Sequence, residues 1–168
     1  FGCIVIEREK ELASDTANSI DVVVHGIEAL TTLGVECMYL VLLQPTVPFR
    51  DPRQVDEAIS ILNNTGCDSV VSHIPVDYFH PNRMKKIVDG CVLPYCEVEV
   101  ENVPRSMLPK AFYRDGSIYA MKASLPTRSG SIFGNDSRAV ISSPENFVNI
   151  DTERDWHMAE YIASRRVI

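Results

Sequence analysis

The chain has 168 residues, 45% of them hydrophobic, and a net charge of −7. That length closes one hydrophobic core and argues against two independent ones. Lys and Arg are scattered rather than gathered into a stripe, which excludes the electrostatic footprint of a nucleic-acid binder. No apolar stretch approaches the about 20 residues that cross a bilayer.

The first residues lack the basic, apolar and small-residue succession of a signal peptide. The five cysteines, Cys3, Cys37, Cys67, Cys91 and Cys96, show neither CxxC nor a Cys/His zinc spacing. Reduced, buried thiols in a soluble cytoplasmic protein are expected. Phe1 to Ile6 reads as a β-type apolar run with no turn or cap before it, so the chain is expected to begin partway through a domain.

Ile20, Val23, Val24, Ile27 and Leu30 recur at helical spacing, and Gly34 supplies a stop. Met38 to Leu43 is a continuous apolar run of the kind a sheet covered on both faces requires, and it ends in Gln44-Pro45-Thr46-Val47-Pro48. Asp51, Pro52 and Gln54 then combine an N-cap, a first-turn proline and a capping-box partner. Val55, Ala58, Ile59 and Leu62 give that helix its apolar face, Gly66 follows its end, and Asp68 to Ser72 is another short buried strand. This β-α-β rhythm predicts an α/β fold with a mostly parallel sheet, whose ligand crevice lies outside the carboxyl ends of the strands.

Further on, Asp89-Gly90 between Arg83–Val88 and Cys91–Tyr95 is a hairpin signal. Cys96, Val98 and Val100 alternate with Glu97, Glu99 and Glu101, as in a strand with one wet face. The hairpin either packs on a partner subunit or folds back on its own domain. Ser117 to Met121 and Arg138 to Ile141 are strand candidates. Thr152 with Asp155 caps a last helix that carries Trp156, Ala159, Ile162 and Ala163.

Four groups of residues could carry chemistry, each with a plainer alternative. Leu42 to Arg50 delivers Gln44 on a rigid two-proline loop, or is an ordinary connection before a helix. Asn149 and Asp151, two oxygen-bearing side chains at i and i+2, could face a cation together, or simply flank the cap at Thr152. Arg105, Arg114 and Tyr119 could grip a carboxylate, or be surface charge and a core tyrosine. Arg8 to Ser19 offers amides and hydroxyls at a helix start to a nucleotide, or to the helix alone.

In order, Glu11-Leu12-Ala13-Ser14-Asp15-Thr16-Ala17, Leu42-Leu43-Gln44-Pro45-Thr46 with Pro48 and Arg50, and Asp68-Ser69-Val70-Val71-Ser72 resemble the acylneuraminate cytidylyltransferase family. His80-Pro81, Arg105 with Leu108-Pro109, Gly116 with Ile118-Tyr119, and Ile150-Asp151-Thr152 with Asp155 complete the resemblance. It implies a three-layer α/β nucleotide-binding domain spanning residues 1–168, with an antiparallel extension at about 78–105 that forms a homodimer. It also implies transfer of CMP from CTP to the anomeric hydroxyl of an acidic nine-carbon sugar, assisted by Mg²⁺, with no nucleic-acid or membrane partner. By the same resemblance Arg8, Ala17 and Ser19 contact the nucleotide, and Gln44 lies between nucleotide and sugar. Arg83, Arg105 and Tyr119 meet the sugar, while Asp151 and Asn149 occupy the metal positions, with Asp151 and Gln44 serving catalysis. Two residues depart from the family pattern: Asn149 stands at a metal-aspartate position and Asp115 where asparagine is usual before Gly116. The family's amino-terminal strand and basic phosphate loop have no match here, so about two βα units, roughly 60 residues, are expected to be missing. A noncatalytic, dimerising nucleotide-binding remnant is the other reading, and a cytidylyltransferase for a different acidic ketose is a third.

Overall fold

A computed structural model describes residues 2–14, 16–76, 79–96 and 102–165. Helix α1 (Ser19–Thr32) starts where the Asn18 side chain accepts from the Ile20 amide. Strand β1 (Tyr39–Leu42) follows, then helix α2 (Pro52–Thr65) and strand β2 (Ser69–Pro75). A hairpin, β3 (Lys85–Val88) and β4 (Cys91–Pro94), precedes the long strand β5 (Phe112–Lys122). A short helix α3 (Leu125–Ser129), strand β6 (Ser137–Ile141) and helix α4 (Glu153–Arg165) complete the order.

The main sheet has the order β1-β5-β2-β6. Strands β1, β2 and β6 run in one direction, and β5 lies between β1 and β2 antiparallel to both. The sheet is therefore mostly parallel with one reversed strand, and β5 carries the bulge that matters for the site. Between Val71 and His73 the register against β5 shifts, which places Asp115, Gly116 and Ser117 in the irregular stretch. The core forms where α2 lays Ala58 and Leu62 on Val70, Ile118, Ala120 and Val140. A second cluster, Val71, Tyr119, Met121 and Leu125, covers the other face with Phe133. Each large side chain buried in this way contributes about 1.5–3 kcal/mol.

Several local expectations are met for identifiable reasons. Asp51 accepts from the Arg53 amide at 3.0 Å, Pro52 occupies the first turn, and Gly66 closes α2 at φ 66°. Asp89 and Gly90, at φ 50° and 80°, make the hairpin turn in which both central residues are left-handed. Thr152 and Asp155 cap α4 reciprocally, since the Thr152 amide donates to Asp155 Oδ2 at 2.9 Å and the Asp155 amide to Thr152 Oγ1 at 3.4 Å.

Other expectations need correction. Gly2 to Glu9 carries no strand, and Ile4 and Val5 are exposed, because no neighbouring strand among the described residues offers them hydrogen bonds. Gln54 does not close a capping box: its amide donates to the Ile141 carbonyl at 3.2 Å and its oxygen accepts from Ser142, tying α2 to the end of β6. Strand β1 is half-buried rather than fully covered. Of the cysteines only Cys67 is buried; Cys3, Cys37 and Cys91 are exposed, since they fall outside the strand and helix faces that build the core. The alternation at Glu97–Glu101 lies outside the described residues, as do Phe1, Asp15 and Tyr78. No helix among the described residues is long and apolar enough to cross a membrane.

The loop joining α3 to β6 is fastened by Asp68, which accepts from the Asn135 and Asp136 amides at 3.0 and 3.2 Å and from Lys122 at 3.4 Å. Those backbone donors hold the Asp68 carboxyl below its ordinary 3.8. The Thr152 hydroxyl does the same for Asp155. A depressed carboxyl stabilises the fold fully above its unfolded pKa, and that contribution disappears as pH falls through the lower folded value. The acid limb of stability should therefore lie below about pH 4, and Asp68→Asn should make it shallower. Urea midpoints collected from neutral to strongly acid pH would show this, and an unchanged slope would contradict it.

Candidate functional site

Two cavities share the end of β1 and the loop that follows it, one lined by Leu42 to Pro45 and the other by Val47, Phe49 and Arg50. The first, about 340 Å³, is lined by Arg8, Leu12, Ala13, Ser14, Ala17, Ser19, Val22, Leu42, Leu43, Gln44 and Pro45. It gathers Arg8, Ala17, Ser19 and Gln44, so four of the expected site residues meet in one place. They arrive there from the polar stretch before α1 and from the end of β1. The polar stretch is shaped by its own bonds: a one-turn 3₁₀ segment at Lys10–Ala13, a Ser14 hydroxyl that donates to the Glu11 carbonyl at 2.9 Å, and an Ala17 amide that donates to the Ser14 carbonyl at 3.1 Å.

Gln44 is held from behind. Arg50 donates through Nη2 to the Gln44 carbonyl at 2.8 Å and through Nε to the Ser117 carbonyl at 2.7 Å, which clamps the loop to the bulge of β5. Partial burial lowers the Arg50 pKa, and the opposite charge of Asp115 counters that. Asp115 is itself only 2% exposed. Its Oδ1 accepts from the Ser117 amide at 2.9 Å and from the Ser72 hydroxyl, while its Oδ2 is buried without a hydrogen-bond partner. Gly116, at φ 78°, lies against the Gln44 side chain so closely that a Cβ there would sit 2.7 Å from Gln44 Oε1. Arg50, Asp115 and Ser117 line the second cavity, about 380 Å³, together with Ser142, Ser143 and Phe147.

Asn149 and Asp151 are fixed to the same loop, because the Ile150 amide donates to the Thr46 carbonyl at 2.9 Å. Their side chains share a face, as i and i+2 residues on extended backbone do. Asn149 Nδ2 donates to Asp151 Oδ2 at 2.5 Å, and Asn149 Oδ1 is buried without a partner. Among the described residues no three His, Cys, Asp or Glu side chains cluster as a metal cage. The pair still fits a hard cation of the Mg²⁺ type, which takes one or two carboxylates and completes its shell with phosphate and water oxygens.

Tyr119 is a core residue, 5% exposed, whose ring meets Phe133 edge-on at 6.4 Å. The Arg114 guanidinium lies 5.8 Å from the Tyr119 ring centre and 5.3 Å from that of Phe133. Burial raises the Tyr119 pKa above its ordinary 10.0, and Arg114 offsets part of the rise. Tyr119 pairs with Leu42 in the sheet, two residues before Gln44. Arg83 and Arg105 line neither cavity: Arg83 Nη2 donates to the Val103 carbonyl at 3.3 Å, so the two stand on neighbouring stretches beside the hairpin. Sequence reasoning included Arg50 in the two-proline loop without giving it a role of its own, and passed over Phe133. Arg50 carries a readable signal, a cation directly after a two-proline loop; Phe133, in a loop, carries none.

The backbone matches CMP:2-keto-3-deoxy-manno-octonic acid synthetase, solved in complex with CTP, at a TM-score of 0.59 and 13% identity over 91% of this chain and 70% of that one. The chain thus shares the α/β fold of that synthetase. No family model matches the sequence. The chain is 23% identical over 166 residues to N-acylneuraminate cytidylyltransferase of Escherichia coli O18:K1:H7, covering 99% of this chain and 38% of the relative. It is 28% identical over 155 residues to CMP-N,N'-diacetyllegionaminic acid synthase of Legionella pneumophila, covering 91% of this chain and 66% of that protein. The chain therefore resembles the acylneuraminate cytidylyltransferases along nearly its whole length, while spanning well under half of the Escherichia coli relative.

Proposed function

We propose that this chain forms the nucleotide- and sugar-handling part of a cytoplasmic cytidylyltransferase that transfers CMP from CTP to the anomeric hydroxyl of a nonulosonic, sialic-type acid. The observation that carries this reading is the convergence of Arg8, Ala17, Ser19 and Gln44 in one cavity at the strand rim. In the transfer, the anomeric oxygen forms a bond to the α-phosphorus, the bond from that phosphorus to the bridging oxygen breaks, and pyrophosphate leaves with the electron pair. The hydroxyl proton passes to solvent. The protein's task is positioning and charge neutralisation. Arg8 supplies positive charge at the nucleotide, and Gln44, clamped by Arg50, offers a neutral amide between nucleotide and sugar. Asp151 and Asn149 would hold Mg²⁺, which supplies electrostatic stabilisation to the phosphates when bound. Arg105 would provide a guanidinium for the sugar carboxylate and Arg83 a further sugar contact, both from stretches outside the two cavities, and Tyr119 with Phe133 an apolar wall.

The exposed apolar hairpin supports homodimer formation. Ile87, Val88, Val92 and Leu93 are all solvent-exposed on β3 and β4, and a two-stranded ribbon needs a partner surface for stability. The dimerisation extension at about 78–105 would be centred on it. Sedimentation at several concentrations would test the dimer.

A second reading, a noncatalytic nucleotide-binding remnant, draws support from the amide donor that Asn149 turns toward Asp151. The third, activation of another acidic ketose, rests on arginine and tyrosine residues that any carboxylated sugar would satisfy. Calorimetric titration of the chain with CTP separates the first two when paired with turnover. The cytidylyltransferase should bind CTP, lose at least about tenfold affinity in Arg8→Ala, and release pyrophosphate when Mg²⁺ and a nonulosonic acid are added. A remnant binds without turnover, and absence of CTP binding rejects both.

A further inference from the structure

We infer that Asn149 latches Asp151: its side-chain amide donates to Oδ2 of the carboxylate that a cation would need, so a cation that takes that oxygen, or the Asn149 amide oxygen, competes with an internal hydrogen bond. The inference rests on the proposed metal role of this pair but is tested without nucleotide or turnover. Asp151 Oδ2 accepts from Asn149 Nδ2, and the amide oxygen that could serve a cation, Oδ1, is turned into the protein with no partner. Rotation of the amide by half a turn would exchange the two atoms. It would bring a second oxygen beside the carboxylate and turn the amide nitrogen to where the unpaired oxygen now lies, but two oxygens facing one another repel unless a cation lies between them. The segment cannot easily move aside instead. Ile150 is bonded to Thr46 through its amide and packs with Phe49 on the Val148, Ala159 and Ile162 cluster, and the Asp151 amide is held by Asp155 at 3.3 Å.

A carboxylate at position 149 would change this balance in two ways: it has no proton to donate to Asp151, and it adds a second negative charge for the cation. The Mn²⁺ ion alone is a suitable probe, followed by loss of its free electron-paramagnetic-resonance signal. Asn149→Asp should bind Mn²⁺ at least about tenfold more tightly than the unaltered chain. It should also melt at lower temperature without the ion and recover on its addition. Asn149→Ala removes both the latch and its oxygen, and should bind Mn²⁺ no more weakly than the unaltered chain. Equal affinity of Asn149→Asp and the unaltered chain, or weaker binding by Asn149→Ala, would overturn the latch. If the latch behaves as expected while CTP does not bind, the cytidylyltransferase reading fails alone.

Discussion

Gly116→Ala should destabilise the protein by about 2 kcal/mol and expel the Gln44 side chain from its present position. Two costs act together. The backbone at φ 78° disfavours any L side chain, and the new methyl carbon would stand 2.7 Å from Gln44 Oε1, well inside contact distance. Because the Gln44 carbonyl is gripped by Arg50, the loop cannot retreat as a unit, and the side chain must swing instead. Under the proposed function that displacement removes a group placed between nucleotide and sugar, and a shift of about 1 Å in such a group can cost on the order of a hundredfold in rate. Urea unfolding would read the first effect. The second would show as a fall in kcat that Gly116→Ala shares with Gln44→Ala, with little further loss when the two are combined. Additive losses would mean that Gly116 does not act through Gln44.

Arg50→Ala should cost more, about 3 kcal/mol, since it deprives the Gln44 and Ser117 carbonyls of charged donors at 2.8 and 2.7 Å and removes a positive charge that the buried Asp115 interacts with. Arg50→Lys should recover only part of that loss. A lysine ammonium is a point charge on a flexible stem and does not reproduce the planar fork that reaches the loop and the bulge together. Pairing Arg50→Ala with Asp115→Asn in a double-mutant cycle tests the electrostatic part: the combined loss should be smaller than the sum, because the neutral amide no longer needs the guanidinium. Full additivity would show that Arg50 serves only as a hydrogen-bond clamp.

The local grammar of the chain was enough to find most elements. Asp51-Pro52 and Gly66 bracket α2, Asp89-Gly90 marks the hairpin, and Thr152 with Asp155 starts α4, because in each case a few adjacent residues satisfy the backbone by themselves. Gln44, Arg8, Ala17 and Ser19, which line one cavity, were legible as candidate site residues through the combination of short motifs rather than through any one of them.

What only the tertiary structure decided are the relations between distant segments. An apolar run at the start of the chain has strand-forming residues, yet strand formation needs a hydrogen-bonding neighbour, and the described sheet gives it none. Gln54 satisfies the pattern of a capping box but spends its amide on Ile141, 87 positions away, because packing of α2 on β6 brings that carbonyl closer to hand. The clamp of Arg50, the fit of Gly116 against Gln44 and the latch of Asn149 on Asp151 likewise depend on angles and separations set by the bulged strand β5 and the loop after β1. Composition and spacing fix which residue types are available along the chain; which atoms face one another is determined by packing across the sheet.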